Sequence, residues 1–163
     1  MKAPGSTAYL QTKVMTANPA ELRLMLFDGA IRFAQQGRDG LQRDAQEAAF
    51  NGISRCQQIV LELINGLRPE HDPELCQRLS SLYTFIYMRL VSASTQRDPS
   101  IVDEALKLLQ FERETWSMLL EQLAAENKAA ANATDVPANV APTLPPAHGS
   151  LSAIIGGTVS VRG

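Results

Sequence analysis

Residues 17 to 33, ANPAELRLMLFDGAIRF, constrain the fold of this chain more than any other stretch. Asn18 can accept hydrogen bonds from the free backbone N–H groups of a helix start, Pro19 fits the first helical position, and Glu21 completes a capping box. Apolar side chains fill more of the circumference than one neighbouring helix covers. The predicted helix is therefore either central in its domain or covered on its second side by something else. Its polar side chains share one narrow stripe: Glu21, Asp28, Arg32, Gln35 and Gln36.

Three further helices follow from apolar residues that recur at spacings of three and four. Asp44, Asp72 and Asp98 are predicted to begin them, and a proline follows each of the last two. We expect helices over about residues 18–42, 44–67, 72–96 and 98–127. Short connections make consecutive helices antiparallel neighbours. The chain is therefore predicted to be all-α, an antiparallel up-down-up-down four-helix bundle.

Both ends of the chain are predicted to differ from the bundle at 18–127. Residues 1–17 carry the apolar side chains of Tyr9, Leu10, Val14 and Met15 and are expected to pack over the bundle, the alternative being a frayed terminus. Residues 128–163 form an Ala/Pro-rich tail, which is expected to be flexible and disordered over 128–150. Further along, Leu151, Ile154, Ile155 and Val159 fall at helical spacing and suggest a short segment able to dock on a groove built for amphipathic helices.

Composition argues against several classes of function. A net charge of −2 and a pI near 5.7 give no basic footprint for nucleic acid or an anionic membrane. No apolar run reaches a membrane span or resembles a signal peptide, so the protein is expected to be cytoplasmic. His71 and His148 belong to no metal-ligand or catalytic motif, and we expect no enzyme, cofactor or metal. Cys56 and Cys76 are interpreted as small packing residues without a disulfide.

Several side chains interrupt these patterns. Arg23 and Glu112 stand on apolar faces and are either members of a site or, more simply, long side chains that reach the rim or meet across it. Gly29 permits close approach of a helix, from a partner or within the bundle. Gly37 and Gly40 are read as interior glycines that weaken the helix.

Aromatic side chains divide into two groups. Tyr83 and Trp116 lie on core stripes and are expected to reach a polar partner at the edge. Phe85, Tyr87 and Met88 project off the core stripe, where such side chains favour a partner surface, unless residues 1–17 cover them.

The chain resembles the flagellin-specific export chaperones of the FliS family over about residues 6 to 125. The resemblance rests on the following residues: Ala8-Tyr9, Met15 to Pro19, Leu24 to Ala30, Leu82-Tyr83, Arg89-Leu90, Asp98, Leu108-Leu109 and Thr115-Trp116. Two features depart from the family. Glu112 stands where the family usually has an apolar residue, and the tail after Asn127 is long.

The resemblance implies an antiparallel helical bundle that binds the C-terminal segment of flagellin in the cytoplasm, prevents its premature polymerisation and assists its type III export. It also implies that the segment around Tyr9 covers the bundle and yields to the client. A monomer or weak dimer is expected, and other flagellar export components are possible partners. The candidate client-binding residues are Tyr9, Val14, Met15, Leu22, Met25, Leu26, Phe27, Ile31, Phe85, Tyr87, Met88 and Arg89. The alternative is a helical adaptor or homo-oligomer that buries its apolar surface against itself.

Overall fold

A computed structural model describes the backbone of residues 4 to 134, with side chains from 8 to 132. Within that range the chain forms helices and no strand, as predicted. The helices are α1 (Pro4–Thr16), α2 (Pro19–Gln42), α3 (Gln46–Asn65), α4 (Pro73–Gln96) and α5 (Pro99–Thr134).

Three of the predicted helix starts are confirmed by their hydrogen bonds. The side chain of Asn18 accepts from the backbone N–H groups of Ala20 and Glu21, and the Glu21 carboxylate accepts from the Asn18 N–H. Asp72 and Asp98 likewise accept from backbone N–H groups in the first turns of α4 and α5, at 3.0 and 2.8 Å. Each cap satisfies donors that the helix cannot satisfy itself.

The predicted start of α3 at Asp44 is wrong. Asp44 has a φ of 52°, in the left-handed region, and Ala45 caps the helix without a side-chain hydrogen bond. The connection after Gln42 is so short that the chain must reverse at Asp44, where Asp tolerates the left-handed conformation better than most residues. The Ala45 N–H donates to the carbonyl of Gly40 at 2.8 Å, which closes the turn.

The helices α2 to α5 form the predicted antiparallel bundle. α2 packs against α3 and α5, and α4 packs against the same two helices, so the four surround one core. Apolar residues at helical spacing are buried along most of α3, in the middle of α2 and α4, and near the start of α5, whereas Leu75, Leu119 and Leu123 are exposed. The largest fully buried side chains are Tyr83, Phe27, Ile53, Leu63, Ile86, Leu90, Leu109, Val60, Val102 and Cys56.

Glycines bring the backbones of α2 and α3 into contact next to the turn that joins them. A Cβ atom on Gly52 would lie 2.3 Å from the backbone N of Gly37, and one on Gly40 would lie 2.4 Å from the backbone N of Ala49. At Gly29 the nearest atom would be the side-chain Cδ1 of Ile59, at 3.2 Å. The close helix approach that was expected at Gly29 occurs instead at Gly37, Gly40 and Gly52, where the absence of a Cβ lets the two backbones touch.

Helix α5 is longer than predicted. It continues past Asn127 to Thr134, through a run rich in alanine, the residue with the highest helix propensity. The expected disordered linker therefore cannot begin at Lys128. The remainder of the predicted tail lies outside the described residues.

Helix α1 exposes its apolar side chains. Tyr9 is 68% exposed and Met15 is 87% exposed, and Leu10 and Val14 are also exposed. These four residues are spread around the helix and form no single stripe that could pack on a flat surface. The covering role expected for residues 1–17 therefore stays a prediction.

Candidate functional site

A large apolar concavity lies at the end of the bundle where α2 and α4 begin and α3 ends. We call it the end groove. Its volume is about 530 Å³, within the range of pockets that bind ligands. Six of the sixteen lining residues are leucines, and charged side chains of both signs stand among them. The residues that line it are Pro19, Ala20, Leu22, Arg23, Leu26, Glu62, Leu63, Gly66, Leu67, Arg68, His71, Asp72, Leu75, Cys76, Leu79 and Trp116.

The shape of the end groove follows from how α2 and α3 are packed. At the closed end of the pair, near the turn, Gly37 and Gly52 allow backbone contact. At the open end the facing positions carry leucines such as Leu26 and Leu63. Because the distance between packed helices depends on the side chains at their contact, we infer that the pair diverges toward the groove.

Arg23 ties three helices together at the wall of the end groove. Its Nη2 donates to the carbonyl oxygen of Gly66, at the end of α3, over 3.0 Å. Its guanidinium carbon lies 4.9 Å from the ring centroid of Trp116 on α5, a cation–π contact. The sequence-based expectation that Arg23 reaches the rim is confirmed.

A buried polar pair lies one turn deeper, at Tyr83 and Glu112. Tyr83 is fully buried, and its ring meets that of Phe27 edge-on at 6.2 Å between centroids. Its hydroxyl makes no hydrogen bond of normal geometry with any residue in the described range, but the polar groups of Arg23 and Trp116 lie near it. Burial, and then the nearby charge of Glu112, raise the pKa of the Tyr83 hydroxyl, while Arg23 and Trp116 oppose that shift.

Glu112 does not behave as the sequence suggested. Its side chain is only 7% exposed, and it takes part in none of the ion pairs found among the described residues. Burial raises the pKa of its carboxyl, because water no longer solvates the charged form. The residue therefore sits in the core, rather than at the rim opposite Arg23.

A second apolar surface lies along α4 and α5, and we call it the outer face. Its exposed side chains are Phe85, Met88 and Phe111, of which Phe111 is 65% exposed. An ion pair between Arg89 and Glu104 joins the two helices, and the Arg89 guanidinium also lies 5.9 Å from the Phe85 ring centroid. In an antiparallel pair this ion pair sets the register, which places Phe111 within about one turn of Phe85 along the helices.

The end groove and the outer face bring together only part of the predicted set. Leu22 and Leu26 line the groove, and Phe85 and Met88 lie on the outer face next to Arg89. Phe27 is a correction: it is fully buried against Tyr83 and belongs to the core. The other predicted residues are either partly buried on the bundle or exposed on α1: Met25, Ile31 and Tyr87 in the first group, Tyr9, Val14 and Met15 in the second.

Several residues of these surfaces were missed by the sequence analysis. Leu67, Leu75, Leu79 and Trp116 were not among the candidate client-binding residues, but they line the groove because the core is open at that end. Leu63 also contributes to the lining, although it is almost fully buried in the core. Leu67, just after the end of α3, and Leu75, in the first turn of α4, stand at helix ends, which was the available signal, whereas Trp116 lies in the middle of α5 and carried no such signal. Phe111 was not predicted to be a surface residue of the site, although it belonged to none of the predicted core stripes.

The described part of the chain offers little support for metal binding, a reactive cysteine or a membrane-spanning helix. Residues 4–134 contain no group of three metal-ligating side chains. Both cysteines are free, and burial raises the pKa of the Cys56 thiol to about 12, which makes it inert. No helix in that range is both long and apolar enough to cross a membrane.

Comparisons with known proteins agree with this picture. The family model described as flagellar protein FliS matches residues 1–123. The flagellar secretion chaperone FliS of Bacillus subtilis (strain 168) is 30% identical over 115 residues, which cover 71% of this chain and 85% of that protein. Its counterpart in Salmonella typhimurium (strain LT2) is 32% identical over 122 residues, or 72% and 90% of the two chains. A crystal structure of a flagellar chaperone from bacteria shares the fold, with a TM-score of 0.61 and 20% identity, over 73% of this chain and 99% of that one.

Proposed function

Because the chain belongs to the FliS family of flagellar proteins, we propose that it is a flagellar secretion chaperone that binds the C-terminal segment of flagellin. In this role it prevents premature polymerisation of the client in the cytoplasm and assists its export by the flagellar type III machinery. The proposal is of a binding protein and not an enzyme. It acts as a monomer or weak dimer and takes no cofactor.

The end groove is the observation that carries the proposal. A client segment that is unfolded before assembly offers amphipathic stretches rather than a rigid surface, and it binds best to an apolar groove that accepts one face of a helix. The leucines of α2, α3 and α4 supply such a lining, and Trp116 adds a large aromatic contact. Charged groups at the rim, among them Arg68 and Glu62, are suited to fix the orientation of the bound helix.

The outer face extends the surface available to the client. Phe85, Met88 and Phe111 are exposed on α4 and α5. The same two helices carry the partly buried apolar residues Leu82, Tyr87 and Leu108. Aromatic and methionine side chains are enriched in interfaces because they give large contact areas and adapt in shape. A long client segment engaging both surfaces gains affinity from each without a deep pocket.

The competing proposal is a helical adaptor or homo-oligomer that buries these surfaces against a second copy. The same exposed side chains of the outer face favour it. Size-exclusion chromatography with light scattering, with and without a flagellin C-terminal segment, separates the two. A monomer that forms a 1:1 complex supports the chaperone, and a constitutive dimer that ignores the segment supports the adaptor.

A matched pair of variants makes this experiment specific to the end groove. Leu75 lines the groove and Leu61 of α3 does not, and both are already substantially exposed, so Asp at either site leaves the core intact. We expect Leu75→Asp to weaken the complex at least about ten-fold, since a charge in an apolar contact costs upward of 1.4 kcal/mol. Leu61→Asp should bind as the natural chain does. Equal binding by both variants would exclude the end groove as the client site.

A further inference from the structure

We propose that residues 151–161 of the same chain dock in the end groove and compete there with the client. The inference rests on the proposed function for the identity of that client, but the docking itself does not require flagellin. The segment lies beyond the described residues, and its proposed site lies within them.

The end groove is open in the described part of the chain. Helix α1, the nearest apolar segment in sequence, leaves Tyr9 and Met15 exposed to solvent rather than buried in a contact. No residue that the structure describes fills this apolar concavity of about 530 Å³, and apolar surface in contact with water is costly to hydrate. A segment tethered to the protein is therefore the first candidate to fill it.

The remaining chain leaves the bundle at the correct end. α5 lines the groove with Trp116 and continues beyond it to Thr134, about 27 Å further along the helix axis. Residues 135–150 then lead to Leu151, and about 16 residues rich in proline span up to about 50 Å. That reach exceeds the distance back to the groove.

The chemistry of the segment fits the lining of the groove. Leu151, Ile154, Ile155 and Val159 fall on one face if the segment is helical, at i, i+3, i+4 and i+8. No Asp, Glu, Lys or Arg occurs between residues 136 and 161, so docking brings no charge into the groove. Gly156 and Gly157 lower the helix propensity, so the contact is expected to be weak in isolation.

Tethering makes a weak contact effective. A tether of this kind presents the segment at an effective concentration on the order of 1 mM. If the free segment binds with a Kd of about 0.2 mM, docking weakens the apparent affinity for the client about six-fold. A client at a concentration above this weakened apparent Kd displaces the segment, whereas a dilute or weakly binding partner does not.

The only tryptophan of the chain, Trp116, lines the groove and reports its occupancy directly. In the full chain we compare the natural sequence with Ile155→Asp, which charges the proposed docking face, and with Ser160→Asp, which charges the opposite face. Ile155→Asp should raise acrylamide quenching of Trp116 about two-fold, since opening the groove exposes the indole. Ser160→Asp should match the natural chain.

A second pair of measurements identifies the segment that occupies the end groove. A chain ending at Thr134 retains the whole described bundle, and we expect it to quench like Ile155→Asp. A synthetic peptide of residues 151–161 added to it should restore protection, and the same peptide with Ile155→Asp should not. Circular dichroism confirms that all variants remain folded.

Other results overturn the docking. Equal quenching of the natural chain, Ile155→Asp and the chain ending at Thr134 would show that nothing from the tail fills the groove. Protection that grows with protein concentration would assign the groove to a second copy, and protection lost on deletion of residues 1–14 instead would assign it to α1.

Flagellin titration separates this proposal from the proposed function. A chain ending at Thr134 that binds the flagellin segment more tightly than the full chain supports both. Trp116 protection without flagellin binding by either form supports the docking and contradicts the function. Equal flagellin binding without Trp116 protection supports the function and contradicts the docking.

Discussion

Replacing Gly52 by alanine should destabilise the bundle, although alanine is the better helix former. The new Cβ would lie 2.3 Å from the backbone N of Gly37, 2.6 Å from its Cα and 2.8 Å from the carbonyl oxygen of Phe33. All three atoms belong to backbone, so no rotamer change relieves the contact and α2 and α3 must move apart. Overpacking of this kind costs up to about 3 kcal/mol. The helix propensity of alanine returns about 1 kcal/mol, which leaves a net loss of up to about 2 kcal/mol.

Gly29→Ala provides the matched control. It makes the same chemical change in the same helix pair, but its Cβ meets the flexible end of the Ile59 side chain at 3.2 Å. Most of the propensity gain should survive, so we expect Gly29→Ala to be about 0.5 kcal/mol more stable than the natural chain. Urea denaturation followed by circular dichroism measures both values, and the melting temperature of Gly52→Ala should fall by about 8 °C. A Gly52→Ala variant as stable as Gly29→Ala would refute the close crossing of α2 and α3.

Three further predictions concern the core, the outer face and α1. Glu112→Gln should stabilise the protein at pH 7, because burial raises the carboxyl pKa of Glu112 in the folded state and its ionisation therefore disfavours folding. The gain over Glu112 should disappear in urea titrations as the pH falls below the unfolded-state pKa of about 4.3. Phe111→Asp should weaken flagellin binding several-fold, as measured by calorimetry, and leave the urea midpoint unchanged. Phe111 is 65% exposed, so its replacement costs no core packing. A large fall in the urea midpoint would mean that the outer face is part of the core. Deletion of residues 1–14 should raise binding of a hydrophobic dye and lower stability if this segment covers client surface as the sequence suggested, and unchanged dye binding would exclude a cover.

The sequence predicted the bundle well because each helix carries its own signals. Asn18, Asp72 and Asp98 mark helix starts by local hydrogen bonds, and periodic apolar residues mark the inward faces. Short connections then leave few arrangements for four helices of similar length. None of these inferences requires knowledge of distant contacts.

The candidate site was harder to predict because it depends on where the core ends. Leu75 and Leu79 continue the stripe of Ile86 and Leu90, and the sequence alone does not distinguish a buried turn from one that opens into a groove. Gly52 shows the same limit. Its role appears only when the backbone of Gly37 is placed against it, a contact between residues on different helices.

Two errors have local physical causes. Asp44 is a plausible residue to begin a helix, but the short connection requires a left-handed residue at this position, and this constraint overrides the cap. The C-terminal end of α5 was predicted too early, near Asn127, because prolines follow further along the chain. The alanines after Asn127 favour helix and extend it to Thr134.

Calorimetric titration of the flagellin C-terminal segment into the full chain at several temperatures tests the central claim most directly. We predict saturable 1:1 binding with a strongly negative heat-capacity change, since the affinity should come from burial of apolar surface in the end groove. The Leu75→Asp variant should lose much of that heat-capacity change, and Leu61→Asp should retain it. Absence of binding, or binding with a heat-capacity change near zero that Leu75→Asp does not alter, would contradict the account.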